Sequence, residues 1–551
     1  MQSPPATTGP GRWLDRFLGA YFKTRPVSAT FVGVHEFDHL LPDFSERGTA
    51  EAVSQMEQLL GDAPDESQCD PVERLDVRLA RGFLRIQLWE YGSSHFRLGN
   101  PATYTGEAAF GLVSLFLSDY APLDTRLEAA VSRMEAVPAF LETARENLRA
   151  VPRAWVDRAL RECTGCLAFL TDGVERLAAT PGLKPEGLKA SAARAERAVR
   201  AFRAHLETGI PASERYACGS EALALYVEEG HFLAGGTSEI ARYAEAQMEE
   251  AQAFLQEHAR DFGARSPEEA LAGLGALRED PQRYYEGYRS VWEEARALVE
   301  RHDLLTWPEF PIRYTPVPPW ARACAPYLYF LPYRAPAAFG APPVHDYLVE
   351  PLEPGMSPAE VERVLQSQNQ SVIKLNHVVH HGGVGHHVQN ARAASSPSRL
   401  GRIAGIDCAS RIALFCGGTM AEGWACYATD LMAEYGFLTP LEQYAERRTR
   451  ARMCARAVVD VGLHEGRLGL EEATAYYARH AGMPEAAARG EAVKNSMFPG
   501  AALMYVAGTD AIHSLRRELR LPLKAFHDDL LSLGSVPVAL VADHMRRIHA
   551  Q

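Results

Sequence analysis

Along most of the chain, apolar residues recur at helical spacing. Leu188, Ala192, Ala195, Val199, Phe202 and Leu206 step by 4, 3, 4, 3 and 4 positions. Such steps keep side chains on one face of a helix, so this stretch predicts a single apolar stripe. Residues 127–149, 239–261, 284–301 and 358–380 show the same pattern and are rich in Ala, Glu, Arg and Leu. Proline, which has no N–H to donate within a helix, marks predicted boundaries at Pro26, Pro122, Pro138, Pro152, Pro181 and Pro185. Strand–helix alternation and internal repeats are missing. The prediction is a mostly α fold, a large helical protein with a deep cleft. It is expected to form one helical unit over 1–551, or two lobes at about 1–305 and 306–551 with the chemistry in the second.

One segment departs from this pattern. From Trp307 to Leu352 the chain is dense in Pro and Tyr, among them Pro308, Pro311, Pro316, Tyr327, Tyr329 and Tyr333. It reads as a few short strands or an irregular insert between helices.

Charge and cysteine usage narrow the function classes. A net charge of −13 argues against nucleic-acid or anionic-membrane partners. No apolar run approaches the roughly 20 residues of a membrane span. The opening Met1-Gln-Ser-Pro-Pro-Ala-Thr-Thr-Gly-Pro lacks the basic-then-apolar order of a signal peptide. Nine scattered cysteines fit reduced thiols, so a cytoplasmic location is expected. Cys163-Thr-Gly-Cys166 is the only CxxC and has no second pair to complete a zinc ribbon. The expected partner is a small-molecule or short-peptide substrate; the sequence leaves the oligomeric state open.

Five of the nineteen histidines fall within eleven residues: His377, His380, His381, His386 and His387. Even scattering would place about 0.4 there. A neutral imidazole offers a lone pair at neutral pH, which makes histidine the commonest metal ligand. A bound divalent ion would offset the cost of crowding five of them. Glu422, in Glu422-Gly423-Trp424-Ala425-Cys426-Tyr427, lies 42 residues after His380, a distance that suits the next helix of a hairpin. Two His from one helix and a Glu from a later one form a known zinc-ligand set, although Glu422 also fits the first turn of a helix. Spacing leaves the second histidine open. On an unbroken helix His380 and His387 are nearly in line, whereas a turn distorted by Gly382, Gly383 and Gly385 would bring His386 inward. His377 and His381, at i and i+4, are the alternative pair.

These two segments resemble the bacterial domain-of-unknown-function 885 family, a group within the larger zinc-peptidase clan. The family signature reads His-Glu-x-x-Pro-Gly-His-His-x-Gln, followed by Glu-Gly-Trp-Ala-x-Tyr. Here the first box is His380-His381-Gly-Gly-Val384-Gly385-His386-His387-Val-Gln389 and the second is Glu422 to Tyr427. Weaker boxes follow in family order. They include Gly33-Val34-His35-Glu36-Phe37-Asp38, the stretch Leu123 to Pro152 with Arg126, Arg133 and Pro138, Glu491-Ala-Val-Lys494, Pro499-Gly500 and Tyr505-Val-Ala-Gly508.

The resemblance implies a zinc-metallopeptidase-like fold with His380, His386 and Glu422 as ligands, and His387 or His377 beside them or in their place. It implies a divalent metal, Zn first and Fe or Cu as alternatives. It also implies a hydrolase of peptidase or amidase type. The departures matter as much. His381 stands where the family has its general-base Glu, Val384 where it has Pro, Thr429 where it has a second Glu, and Lys494-Asn495 where it has Arg-Tyr. An imidazole accepts a proton near neutrality, so His381 is the candidate base. As an added ligand, His381 would instead point to a non-hydrolytic Fe or Cu enzyme, and a site without turnover would be a metal-binding protein. Tyr505 is a candidate oxyanion donor or a packed aromatic. Lys494 and His464 are candidates for substrate binding.

Overall fold

In a computed structural model that describes residues 9–181, 187–328, 335–340, 342–403 and 417–550, helices dominate. The stripe predicted over 188–206 is the buried face of helix Leu188–Thr208, with all six apolar positions buried. The other four periodic stretches become helices Leu123–Asn147, Gly236–His258, Tyr284–Arg301 and Pro358–Ser367. The last of these is shorter than expected. Asn369 accepts from the Val372 N–H and starts a new helical segment, so the chain bends before the histidines.

Pro26 opens a helix, and Pro122 and Pro152 immediately precede helices. Pro181 follows the helix Val174–Ala178, and Pro185 lies outside the described residues. Pro138 is a correction, because it sits inside Leu123–Asn147. A proline there costs about 3 kcal/mol. The apolar face on both sides of it, from Leu127 and Met134 to Phe140 and Leu141, is buried and offsets that loss.

The Pro/Tyr-rich segment supplies one of the two short parallel strand pairs among the described residues. Ile312–Pro316 pairs with His345–Val349, Ile312 opposite His345 and Pro316 opposite Val349. The other pair joins Val151–Pro152 to Ala212–Ser213.

By its contacts the chain divides into two units, with a break between residues 215 and 216. The first unit holds the described residues of 1–215 and 317–342; the second holds those of 216–316, 343–405 and 413–551. Residues 216–301 join the second unit because their apolar stripe needs the later helices. Helix Gly236–His258 buries Ala244, Met248 and Leu255 along helix Pro440–His464, where Tyr444 donates its hydroxyl to the Leu255 carbonyl.

Within the first unit, buried Asp38 accepts from Thr30 at 2.6 Å and Tyr120 at 2.6 Å, with His35 at 3.0 Å. Burial opposes its ionisation, but these partners outweigh that and lower its pKa. Arg133, fully buried, donates to Thr30 and to the Leu40 carbonyl.

In the second unit, helices Gly418–Glu434 and Met504–Leu519 cross at two glycines. A Cβ on Gly508 would lie 2.0 Å from the Thr419 carbonyl oxygen, and one on Gly423 would lie 2.5 Å from the Gly508 carbonyl carbon. Both obstacles are backbone, so relief would require moving a helix. Gly508→Ala is expected to destabilise the protein by about 3 kcal/mol or more. Gly490→Ala, on an exposed helical position with nothing nearby, is expected to be neutral or stabilising by up to about 1 kcal/mol. Thermal midpoints of the two variants, measured side by side, check both, and equal midpoints would reject the crossing argument.

Candidate metal centre

The histidine run begins in a helical stretch of unusual winding. Over Ile373–Gly382 the backbone makes i→i+5 turns, a wide form that often occurs at functional sites. The helix ends at Gly382-Gly383, and the next helix, His386–Ala394, starts at once. Two tryptophans donate to carbonyls of this reversal, which limits the cost of burying them. Trp292 donates its indole N–H to Gly382 at 2.9 Å. Trp424 donates to Val384 and Gly385 at 2.9 and 3.1 Å. The reversal also needs glycine: a Cβ on Gly385 would lie 1.9 Å from the His380 carbonyl oxygen. The strand pair stands behind the turn, where the Tyr314 hydroxyl would meet a Cβ on Gly382 at 2.6 Å.

The turn brings His380 and His386 together, their ring centroids 5.0 Å apart. Helix Gly418–Glu434 presents Glu422 to both. Glu422 Oε2 lies 3.5 Å from His380 Nε2 and 3.6 Å from His386 Nε2. Those gaps are too long for good hydrogen bonds. Glu422 Oε2 is buried and has no hydrogen-bond partner among the described residues. A buried carboxylate oxygen in that state is costly. Two donors about 2.0–2.1 Å from one ion at a tetrahedral angle lie about 3.3–3.4 Å apart, close to the observed spacings. The orphaned oxygen and the N, N, O donor set therefore fit a divalent ion.

His381 joins the cluster from one residue further on. Ligand atoms of His380, His381 and His386 all lie within 4.8 Å of one another. His381 Nδ1 is 2.7 Å from the Asn376 carbonyl. A carbonyl only accepts, so Nδ1 carries the proton and, in the neutral ring, Nε2 keeps the lone pair. Burial lowers the pKa of His380, and it holds His381 well below the ordinary value with His380 and His386 adding repulsion. Burial works against an ionised Glu422, yet the flanking imidazoles outweigh it and keep the carboxyl well below the usual range.

The other predicted site residues have these contacts. His387 is turned away from the cluster: its Nε2 donates to the Phe310 carbonyl at 2.8 Å and its ring stacks on Phe310. His377 has both nitrogens engaged, Nε2 with Gln368 and Nδ1 with the Tyr347 hydroxyl, each at 2.6 Å. His464 is fully buried and donates Nε2–H to the Asn495 carbonyl at 2.9 Å, a tie between helices rather than a substrate contact. Tyr505 lies with its ring beneath the Arg456 guanidinium, 4.5 Å from ring centre to Cζ. Asp460 holds the turn before Tyr505 by accepting the N–H groups of Gly500, Ala502 and Leu503. Lys494 sits close enough to lower the pKa of Glu491.

Sequence reasoning missed the two indoles and the pair Arg452 and Arg456. The latter had a signal, two arginines four apart among Ala, Met and Cys on one helix.

The match to known proteins is broad. A family model described as "Bacterial protein of unknown function (DUF885)" matches residues 26–545. Solved structures share the fold. One is "a putative lipoprotein of unknown function from Shewanella oneidensis", at 20% identity and TM-score 0.76, covering 98% of this chain and 100% of that one. Another is "the putative lipoprotein from Colwellia psychrerythraea", at 16% identity and TM-score 0.73, covering 99% and 100%. No curated protein is a significant match to the chain.

Proposed function

The chain belongs to the DUF885 family of bacterial proteins of unknown function, and we propose that it is a metal-dependent hydrolase acting on an amide bond in a short peptide or small molecule. The observation that carries this reading is the buried, unpartnered Glu422 Oε2 with His380 and His386 at 3.5 and 3.6 Å. These three side chains would hold the ion, Zn first. When bound, such an ion supplies Lewis acidity, polarising a carbonyl and acidifying water.

The protein's own groups would do the rest. His381, its Nδ1–H fixed on Asn376, offers Nε2 as proton acceptor and later returns the proton to the leaving amine. Tyr505 would donate to the developing oxyanion.

A second reading has its own support. The three-imidazole cluster is a set that Fe or Cu would also accept, which makes His381 a ligand and the chemistry non-hydrolytic. Elemental analysis of protein purified without added metal separates the two. Zinc at about one ion per chain, with peptide hydrolysis lost to a chelator and restored by zinc, supports the hydrolase. Iron or copper with no hydrolysis supports the second reading. Bound metal with no turnover of any kind leaves a metal-binding protein, and hydrolysis indifferent to chelation rejects the proposal.

No described helix is long and apolar enough to cross a membrane. The proposal keeps the cytoplasmic location read from the cysteines. Cell fractionation that recovers the protein with membranes would replace it.

A further inference from the structure

His377 sits in the middle of the wide helix and is held at both ring nitrogens. Its Nε2–H donates to Gln368 Oε1 at 2.6 Å, and its Nδ1 accepts from the Tyr347 hydroxyl at 2.6 Å. Gln368 closes the preceding helix, and Tyr347 stands on the strand His345–Val349. Two elements outside its own helix therefore grip one ring. His377 and Tyr347 are both buried, so water competes little for these bonds. Burial lowers the pKa of His377 to about 4, which keeps the ring in its neutral form, with one donor and one acceptor. An i→i+5 winding is rare and persists where surrounding groups fix it. Lys374 adds a further tie, from Nζ to Glu442 at 2.9 Å.

The peptide that joins Asn376 to His377 links this clamp to the histidine cluster. Its carbonyl is the one that His381 Nδ1 meets at 2.7 Å. In a wide turn, residues five apart face each other, which brings residue 381 to the carbonyl of residue 376. A peptide group is planar, so this carbonyl and the N–H of His377 lie in one plane. Holding His377 by its ring holds that plane, and with it the direction in which the carbonyl points.

We infer that His377 is a positioning residue for His381. Clamped by Gln368 and Tyr347, it aims the Asn376 carbonyl that keeps the His381 proton on Nδ1 and the lone pair on Nε2, within the cluster formed with His380 and His386. The value of this to catalysis rests on the proposed role of His381 as proton acceptor; the tautomer itself does not.

The test reads the tautomer without turnover. Full-length, chelator-treated protein is labelled with 13C,15N-histidine and studied by magic-angle-spinning NMR. The His381 signals are identified by their loss in His381→Ala. In the wild-type protein His381 is expected as the Nδ1–H tautomer. In His377→Leu that form should give way to a mixture of the two neutral tautomers. His377→Gln supplies one donor and one acceptor again and should restore the Nδ1–H form in part. A wild-type His381 protonated on Nε2 overturns the inference. So does a tautomer unmoved in His377→Leu, even with a lower thermal midpoint, because His377 would then be a packing residue. Equal loss in the Leu and Gln variants overturns it as well. If His377→Leu fails to fold, Tyr347→Phe decides, since it removes a single oxygen: a shifted tautomer supports the clamp and an unshifted one rejects it. With zinc restored, hydrolysis of a dipeptide library by His377→Leu should fall on the order of 10–100-fold with zinc content unchanged. A tautomer shift without hydrolysis by any form of the protein keeps the role of His377 and removes the hydrolase reading. Hydrolysis with the tautomer unmoved does the reverse.

Discussion

Glu422→Ala is expected to empty the metal centre. On the proposed assignment the substitution removes one of three ligands and the only carboxylate among them, so two neutral imidazoles would face the ion alone. Loss of a group that merely orients a ligand already costs 10–100-fold in affinity. Loss of the ligand itself should exceed about 100-fold, and hydrolysis should fall with it to background. Competition with a chelator of known affinity measures the first effect, and elemental analysis of the purified variant checks it. Glu422→Gln keeps the shape and removes the charge, and should behave similarly. The assignment of ligands fails if Glu422→Gln and His380→Ala both retain full metal.

His381→Ala should separate the base from the ligands. With His381 as proton acceptor, turnover drops on the order of 10²-fold or more while metal content holds. His381→Glu places a carboxylate where the family has one and should keep or raise peptidase activity. Metal lost together with activity in His381→Ala would move His381 into the ligand set and favour the Fe or Cu reading. Unchanged turnover and unchanged metal would sink both roles.

Much of the fold was legible because helical periodicity is a local property. The stripe from Leu188 to Leu206 needs only its own residues to be recognised. Pro138 was misread because the packing that overrides it comes from distant helices. The grouping of residues 216–301 with the second unit is not legible locally, because what they pack on lies later in the chain: helix Gly236–His258 on helix Pro440–His464, and helix Tyr284–Arg301 on Ile373–Gly382. At the candidate site, His380, His386 and Glu422 could be named from spacing and resemblance, and the structure does bring them together. His387 and His377 could not be sorted from them, because a glycine reversal and a wide winding have no fixed angular step. Of the outer boxes, Asp38 and Arg133 prove to meet through Thr30 in one buried polar network, a structural reason for their pattern.

The reversal at Gly382–Gly385 has a kinetic consequence. Its buried carbonyls are met by indoles 90, 40 and 39 residues away along the chain. A loop must close over each of those spans before the turn is held, and loop closure of that length is slow compared with forming a helix. The two histidines, six positions apart, therefore acquire their mutual arrangement only once Trp292 and Trp424 have docked. Uptake of an ion during refolding should then trail the recovery of far-ultraviolet helical signal and keep pace with the burial of tryptophan, making ion capture a clock for the last stage of assembly.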